Sequence, residues 1–436
     1  MEHMLASLPQ LSRREAESYP WNYTTSTGYV CNMPRPLVNT ATATLAGGLY
    51  FFTIAQIITG VCAAFTLISI SILMYRHATH LSRPNEQLNI MRICSYLPIF
   101  AIGCFLEASF PNAYVYIYPW LDVVQAIALC NFFLLMSHFV SPSDDHRELF
   151  FAGLKVSQKR KHITRLARRC RGGSTTPSEQ EAINGLEWYR KRWLLIFQYP
   201  FVQSLVSIAT AVTEAMGLYC LVGHNIHFAR LWLDISHNVT LIFAMVACLR
   251  LYSALRIQLA HHKPLAKLFA FKLVVAITGG IQLIYWILRS VKPSPLKPTA
   301  YLSWSDEFIG IPAMIMALLT VPFSVFFHYA YDVKPYYLEN TVHHIPLAHK
   351  DDLELSGTNS VSGGKFATYI NVGVVGESYQ GGPFGMWAWL GMMNPSELIS
   401  GFVLGFTMLS KENRKMGVAT IQRAEAAEAM EYDDRD

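Results

Sequence analysis

Charge is what this sequence has least of. Only 15% of its 436 residues are Asp, Glu, Lys or Arg, against about 25% in an ordinary soluble protein, so a conventional water-soluble enzyme is a poor starting point. Catalytic signatures are missing too. There is no HExxH, no GxSxG, no Gly-rich loop ending in Lys and no CxxC pair, which leaves zinc hydrolysis, acyl transfer, nucleotide binding and structural zinc without their usual residues. The adjacent pairs His261-His262 and His343-His344 point in diverging directions on a helix and make poor chelates. The chain therefore reads as non-enzymatic, with no metal and no cofactor. Eight cysteines occur, but Cys62, Cys94, Cys104, Cys130 and Cys248 lie inside apolar runs, a placement that argues against a disulfide framework.

Apolar residues fill the space that charge leaves. They make up 52% of the chain, and a helix needs about 20 of them in succession to cross the hydrocarbon layer. Seven stretches qualify: 49–74, 90–110, 119–140, 193–220, 231–255, 268–289 and 308–331. The expected fold is all-α and polytopic, with a polar segment over 1–44, a seven-helix transmembrane domain over 45–335 and a tail over 336–436. Residues 1–44 carry no apolar core behind a basic leader, so the first apolar run is expected to direct insertion.

The net charge of +5 is unevenly spread. Residues 147–192 hold twelve Lys and Arg against four Glu, a surplus of +8, and the remainder of the chain sums to −3. Basicity is thus a property of one loop, over 141–192, and no nucleic-acid partner is called for. Arg76 and Arg83 mark the first loop and Arg256, Lys263 and Lys267 the fifth, whereas the second has none and the fourth only Arg230. The positive-inside rule then places the odd loops and the tail in the cytosol and the N-terminus outside or in a lumen; Arg289, Lys292 and Lys297 in the sixth loop dissent. The sequon Asn22-Tyr23-Thr24 agrees with that orientation and makes the chain a candidate glycoprotein.

Two further segments bear on the membrane. In the basic loop, Lys159, Arg160, Lys161, Arg165, Arg168 and Arg169 are candidates for contact with an anionic leaflet, each worth about 1 kcal/mol near that surface. Cys170 among them is an acylation candidate. In the tail, the run over 384–409 is interrupted by Asn394-Pro395. Its second half reads as an interfacial amphipathic helix capped by Asn394, with Leu398, Phe402, Gly405, Phe406 and Leu409 on one side. An eighth crossing is the alternative.

Polar residues within apolar runs carry the functional reading, because each is costly in lipid and turns toward the bundle or toward water. On the fourth stretch Gln203, Ser207, Thr210 and Glu214 follow one helical face. The sixth repeats the pattern with Thr278, Gln282 and Arg289. The fifth places Asp234, His237 and Asn238 on one turn, and the third supplies Asp122 and Gln125. These residues line either a solute path or an interhelical hydrogen-bond network. In the first stretch Thr53, Gln56, Gly60, Ala64 and Ser71 read as a packing face. Pro98, Pro312 and Pro322 remove helix donors and are expected to kink their helices.

The run Arg83-Pro84-Asn85-Glu86-Gln87, with Ile90-Met91-Arg92-Ile93 and Leu97-Pro98-Ile99-Phe100-Ala101-Ile102 behind it, resembles the signature of the organic solute transporter alpha and transmembrane protein 184 family. Phe197-Gln198-Tyr199, the run Glu214 to Cys220, Lys263-Pro264-Leu265 and Phe271-Lys272-Leu273 with Gln282 are similar to later segments of that family. Leu121-Asp122 and Val124-Gln125-Ala126 stand where the family typically has Arg-Asp and Tyr-Glu-Ala. The resemblance implies a seven-helix protein with an outer N-terminus that moves or senses amphipathic organic solutes such as steroids or lipids.

The function expected is that of a carrier-like protein of the plasma membrane or a vacuolar or endosomal membrane, contacting lipids and an organic solute or lipid substrate, alone or as a homo- or hetero-oligomer. The rival is an organelle-membrane scaffold whose tail recruits a cytosolic protein, with Trp387 and Leu390 as a motif suited to edge addition. A seven-helix receptor is a third reading, although the acidic-Arg-aromatic triplet and the Asn-Pro-Tyr cue of such receptors are absent.

Overall fold

The structure, a computed structural model, describes residues 23–140, 150–151, 177–256, 298–338 and 379–407, apart from 27, 32, 38 and 223–225, together with scattered positions between 266 and 288. Its long helices are α1 (Phe51–Thr79), α2 (Pro84–Ser109), α3 (Tyr114–Val140), α4 (Pro177–Ala215), α5 (Ala229–Leu255) and α6 (Ile311–Ala330). Two short ones follow, α7 (Met386–Met393) and α8 (Ser396–Thr407). Among the described residues six helices are long and apolar enough to cross a membrane. They are α1 to α6 and correspond to the first five apolar stretches and the seventh. The sixth stretch is described only in part, and its described positions are helical.

Local chemistry accounts for where these helices begin. Pro84 opens α2, where its missing N–H has no helical partner to lose, and Gln87 reaches back to accept from the Ser82 and Arg83 amides at 2.8 and 2.9 Å. A π-helical turn, Asp306–Gly310, leads into α6. Ahead of it the Ser303 amide donates to Asp306 Oδ2 and the Asp306 amide to Ser303 Oγ, at 3.0 and 3.2 Å, a reciprocal cap that satisfies two donors at once. The helical path is continuous from the π turn into α6, so Pro312, just after that turn, is internal to it, as Pro98 and Pro322 are internal to α2 and α6, and the missing Pro312 N–H falls where the helix changes from π to α.

The helices pack in sequence order, α1 on α2, α2 on α3, α3 on α4 and α4 on α5, and α6 closes against α1 and α2. Gly103 lets α2 approach α3 closely, since a Cβ at that position would lie 2.5 Å from the Leu121 Cδ1 atom. The buried face of α1 matches the expected one only in part: Thr53, Gln56 and Gly60 are half-buried, and a Cβ on Gly60 would lie 3.3 Å from Phe105 Cε2 of α2. Ala64 and Ser71 are exposed, and the inward positions are Ala55, Thr59, Cys62, Ala63, Thr66 and Ile70. Polar contacts accompany this rotation of α1: Thr66 Oγ1 meets Thr320 Oγ1 of α6 at 2.9 Å, and Ser69 meets His328 at 3.2 Å.

A small cap covers one end of the bundle. The two-residue strands β1 (Tyr23–Thr24) and β2 (Val30–Cys31) pair antiparallel, and Met33 and Leu37 pack with Val115, Tyr219, Phe228 and Trp304 in a separate apolar cluster. A disulfide joins Cys31 to Cys220, which corrects the expectation that cysteine has no cross-linking role here. Neither partner lies within the helices: Cys31 belongs to the polar N-terminal segment and Cys220 follows the end of α4. Their separation of 189 residues leaves no local spacing pattern to read.

Candidate functional site

The middle of the bundle between α2, α3, α4 and α5 holds a cluster of polar side chains. Gln203, Ser207 and Thr210 of α4 are buried along the stripe that periodicity marks out. Gln203 Oε1 accepts a 2.7 Å hydrogen bond from Nδ1 of His237 on α5. The same nitrogen is 3.9 Å from Asp122 Oδ2 on α3, so the imidazole bonds α5 to α4 and faces a carboxyl group of α3. Ser207 Oγ donates to the Pro119 carbonyl of α3 at 2.9 Å, and Thr210 bonds back to Val206 within its own helix.

Two further groups complete the cluster on its α2 side. The Tyr96 hydroxyl donates to Gln125 Oε1 at 3.4 Å, with both side chains buried. Glu107 is 5% exposed, its Oε1 has no hydrogen-bond partner among the described residues, and it lies within electrostatic reach of Asp122. Tyr199 of α4 lies beside His237, ring centroids 6.4 Å apart. Tyr96, Glu107 and Tyr199 were not singled out by periodicity. The readable signal was a single carboxylate inside the apolar run Phe105-Leu106-Glu107-Ala108; the tyrosines look like ordinary aromatic core until their neighbours are known.

Glu214 and Asn238 lie apart from this cluster, and Asp234 stands at its edge, within electrostatic reach of Asp122. Glu214, at the far end of the α4 stripe, forms an ion pair with Arg35 of the N-terminal segment. Asp234 pairs with Arg230 one turn back on α5 at 3.1 Å, and Asn238 is exposed, donating to the Asp234 carbonyl. Thr278, Gln282, Arg289, Asn22, Lys159, Arg160, Lys161, Arg165, Arg168, Arg169 and Cys170 lie outside the described residues. Among the described residues no group of His, Cys, Asp and Glu is arranged to hold a metal ion.

The tail segment packs against the opposite end of the bundle from the cap. Asn394 Oδ1 accepts from the Ser396 amide at 3.0 Å, which is the expected start of α8. Leu398 and Phe402 pack inward against the bundle, while Trp387 and Leu390 are each 62% exposed.

Membrane-length helices enclosing a polar cluster define an integral, multi-pass membrane protein. The chain belongs to the organic solute transporter Ostalpha family, whose family model matches residues 55–336, from within α1 to beyond α6. A transmembrane protein 184 homolog of Dictyostelium discoideum is 24% identical over 262 residues, which is 60% of this chain and 48% of the relative. The chain thus matches about half the length of that relative. No solved structure matches the chain.

Proposed function

We propose that this protein is a carrier for amphipathic organic solutes or lipids, with its polar pathway running between α2, α3, α4 and α5. The observation that supports this reading best is the Asp122, His237 and Gln203 constellation with its buried neighbour Glu107. Glu107 Oε1 is one of several buried polar atoms with no hydrogen-bond partner among the described residues, and it lies within electrostatic reach of Asp122. Membership of a transporter-type family agrees with it.

In this reading the chain crosses seven times, the partly described sixth stretch supplying the remaining helix, and its N-terminus faces outward or into a lumen. The disulfide between Cys31 and Cys220 favours an oxidising compartment for that face, the side on which Asn22 becomes a glycosylation site. The apolar exposure of Phe384, Trp387, Leu390 and Met393 favours a tail whose outer face rests in the cytosolic leaflet. That leaves Trp387 and Leu390 turned toward lipid, which weighs against the scaffold reading.

Reconstitution into liposomes with a panel of labelled steroids and amphiphiles tests the proposal. Flux of at least one solute is expected, with Gln203→Leu lowering it tenfold or more and Glu214→Ala, remote from the cluster, leaving it within twofold. Equal flux in wild type and a folded Gln203→Leu protein would remove the cluster from the pathway.

A further inference from the structure

The guanidinium of Arg92 is buried in the bundle, with its side chain 7% exposed, yet every bond described for it runs to the tail. Nε donates to the Met392 carbonyl at 3.0 Å, and Nη2 to the carbonyls of Gly391 and Asn394 at 2.9 Å each. Nη1 forms an ion pair with Glu397 in the first turn of α8. Helix α7 ends at Met393, so the Met392 carbonyl lies in the last turn with no later helical N–H to accept from, and the Gly391 carbonyl, which accepts from the Asn394 amide at 3.2 Å, takes the Arg92 bond on its second lone pair. A cation at that end also complements the helix dipole. Arg92 of α2 therefore caps α7 from outside and holds the start of α8 with the same side chain.

The rest of the segment is tied down at different helices. The Gln380 amide donates to the Leu81 carbonyl at 2.9 Å, and a Cβ on Gly391 would lie 3.1 Å from Leu88 Cδ1. On the other side, Trp193 Nε1 of α4 donates to the Gly401 carbonyl at 2.7 Å, and Phe402 lies against Phe201 with ring centroids 5.2 Å apart. α2 and α4 pack on one another chiefly through α3, so the tail bridges two helices that the bundle itself joins only indirectly. Both carry cluster residues: Tyr96 is one turn along α2 from Arg92, and Gln203 lies further along α4 from Trp193.

We propose that residues 379–407 form a latch that holds the cytosolic ends of α2 and α4 together, with Arg92 as its clasp, and that opening the polar cluster to the cytosol requires the latch to release. The second half of that statement rests on the carrier reading; the first does not.

Two measurements separate them. Hydrogen exchange of the full-length protein in nanodiscs is expected to speed up tenfold or more over 386–404 and over 193–199 in Arg92→Gln, with 59–70 of α1 unchanged. Should Arg92→Gln lose protection everywhere, Glu397→Gln breaks the same clasp from the tail side and is read in the same way. Protection unchanged over 386–404, or release of the tail without loosening of 193–199, overturns the latch. For the second measurement, a short bismaleimide pins the tail in a Leu88→Cys/Gly391→Cys protein. Liposome flux is expected to fall at least tenfold relative to each single-cysteine variant treated alike, and undiminished flux overturns the requirement for release. If wild-type protein moves none of the solutes, the carrier reading fails, and the exchange arm still decides whether the latch exists.

Discussion

Replacing Gln203 and His237 with leucine, singly and together, measures what the central contact of the cluster contributes. Gln203→Leu leaves His237 Nδ1 without the acceptor it now reaches at 2.7 Å, and His237→Leu strands the Gln203 amide, which is 1% exposed. A buried polar group left unpaired costs about 1–3 kcal/mol, whereas replacing both partners with apolar groups is nearly neutral. Interhelical hydrogen bonds in membrane proteins couple by about 0.6 kcal/mol on average and at most about 1.7. The short distance and the burial of Gln203 place the expected coupling near the top of that range, about 1–1.7 kcal/mol, with the double variant more stable than the two single losses summed. Reversible denaturation in mixed micelles yields the four stabilities of the cycle. Independent sites add within about 0.3–0.5 kcal/mol, so a cycle that closes inside that window would refute the account of His237 and Gln203 as the bond that joins α4 and α5.

Further outcomes follow from single features. Labelling of the denatured protein with a maleimide polymer is expected to add two thiols after reduction and none of those two in Cys31→Ser/Cys220→Ser; an equal count with and without reductant removes the cross-link. Gly103→Val is expected to destabilise by about 1–3 kcal/mol through overpacking against Leu121, read as a lower unfolding midpoint, and an unchanged midpoint means the α2 and α3 interface is looser than described. Expression in eukaryotic membranes is expected to give an endoglycosidase-sensitive gel shift that Asn22→Gln abolishes; a glycan that survives the substitution places the modified site elsewhere.

Much of this architecture was legible because lipid simplifies the problem. A run such as 49–74 or 308–331 has one stable form in hydrocarbon, and the α4 stripe of Gln203, Ser207 and Thr210 turns inward because the alternative is unpaired polarity in lipid. The rotation of α1 was not legible, since the neighbours of its inward face, such as Thr320 opposite Thr66, belong to a helix some 250 residues away. The same holds for Cys31 with Cys220 and for Arg92 with Glu397: each is a pairing over a long separation, and neither partner has a local pattern that names the other. Glu214 shows the converse limit. It lies on the stripe, yet Arg35 claims it, because periodicity assigns a face but not a depth along the helix or a partner.

One trait of the tail bears on how the protein is handled. Helix α7 has eight residues, and an isolated helix shorter than about 12–15 residues is marginal in water, so its shape is borrowed from the carbonyl bonds that Arg92 supplies. A chain shortened before Met386 forfeits more than a terminal appendage: it leaves a cation with no acceptors at the end of the bundle and uncovers the indole of Trp193. Epitope tags and fluorescent fusions are therefore best joined beyond Thr407, and a trimmed protein that purifies well is a different object from the full chain.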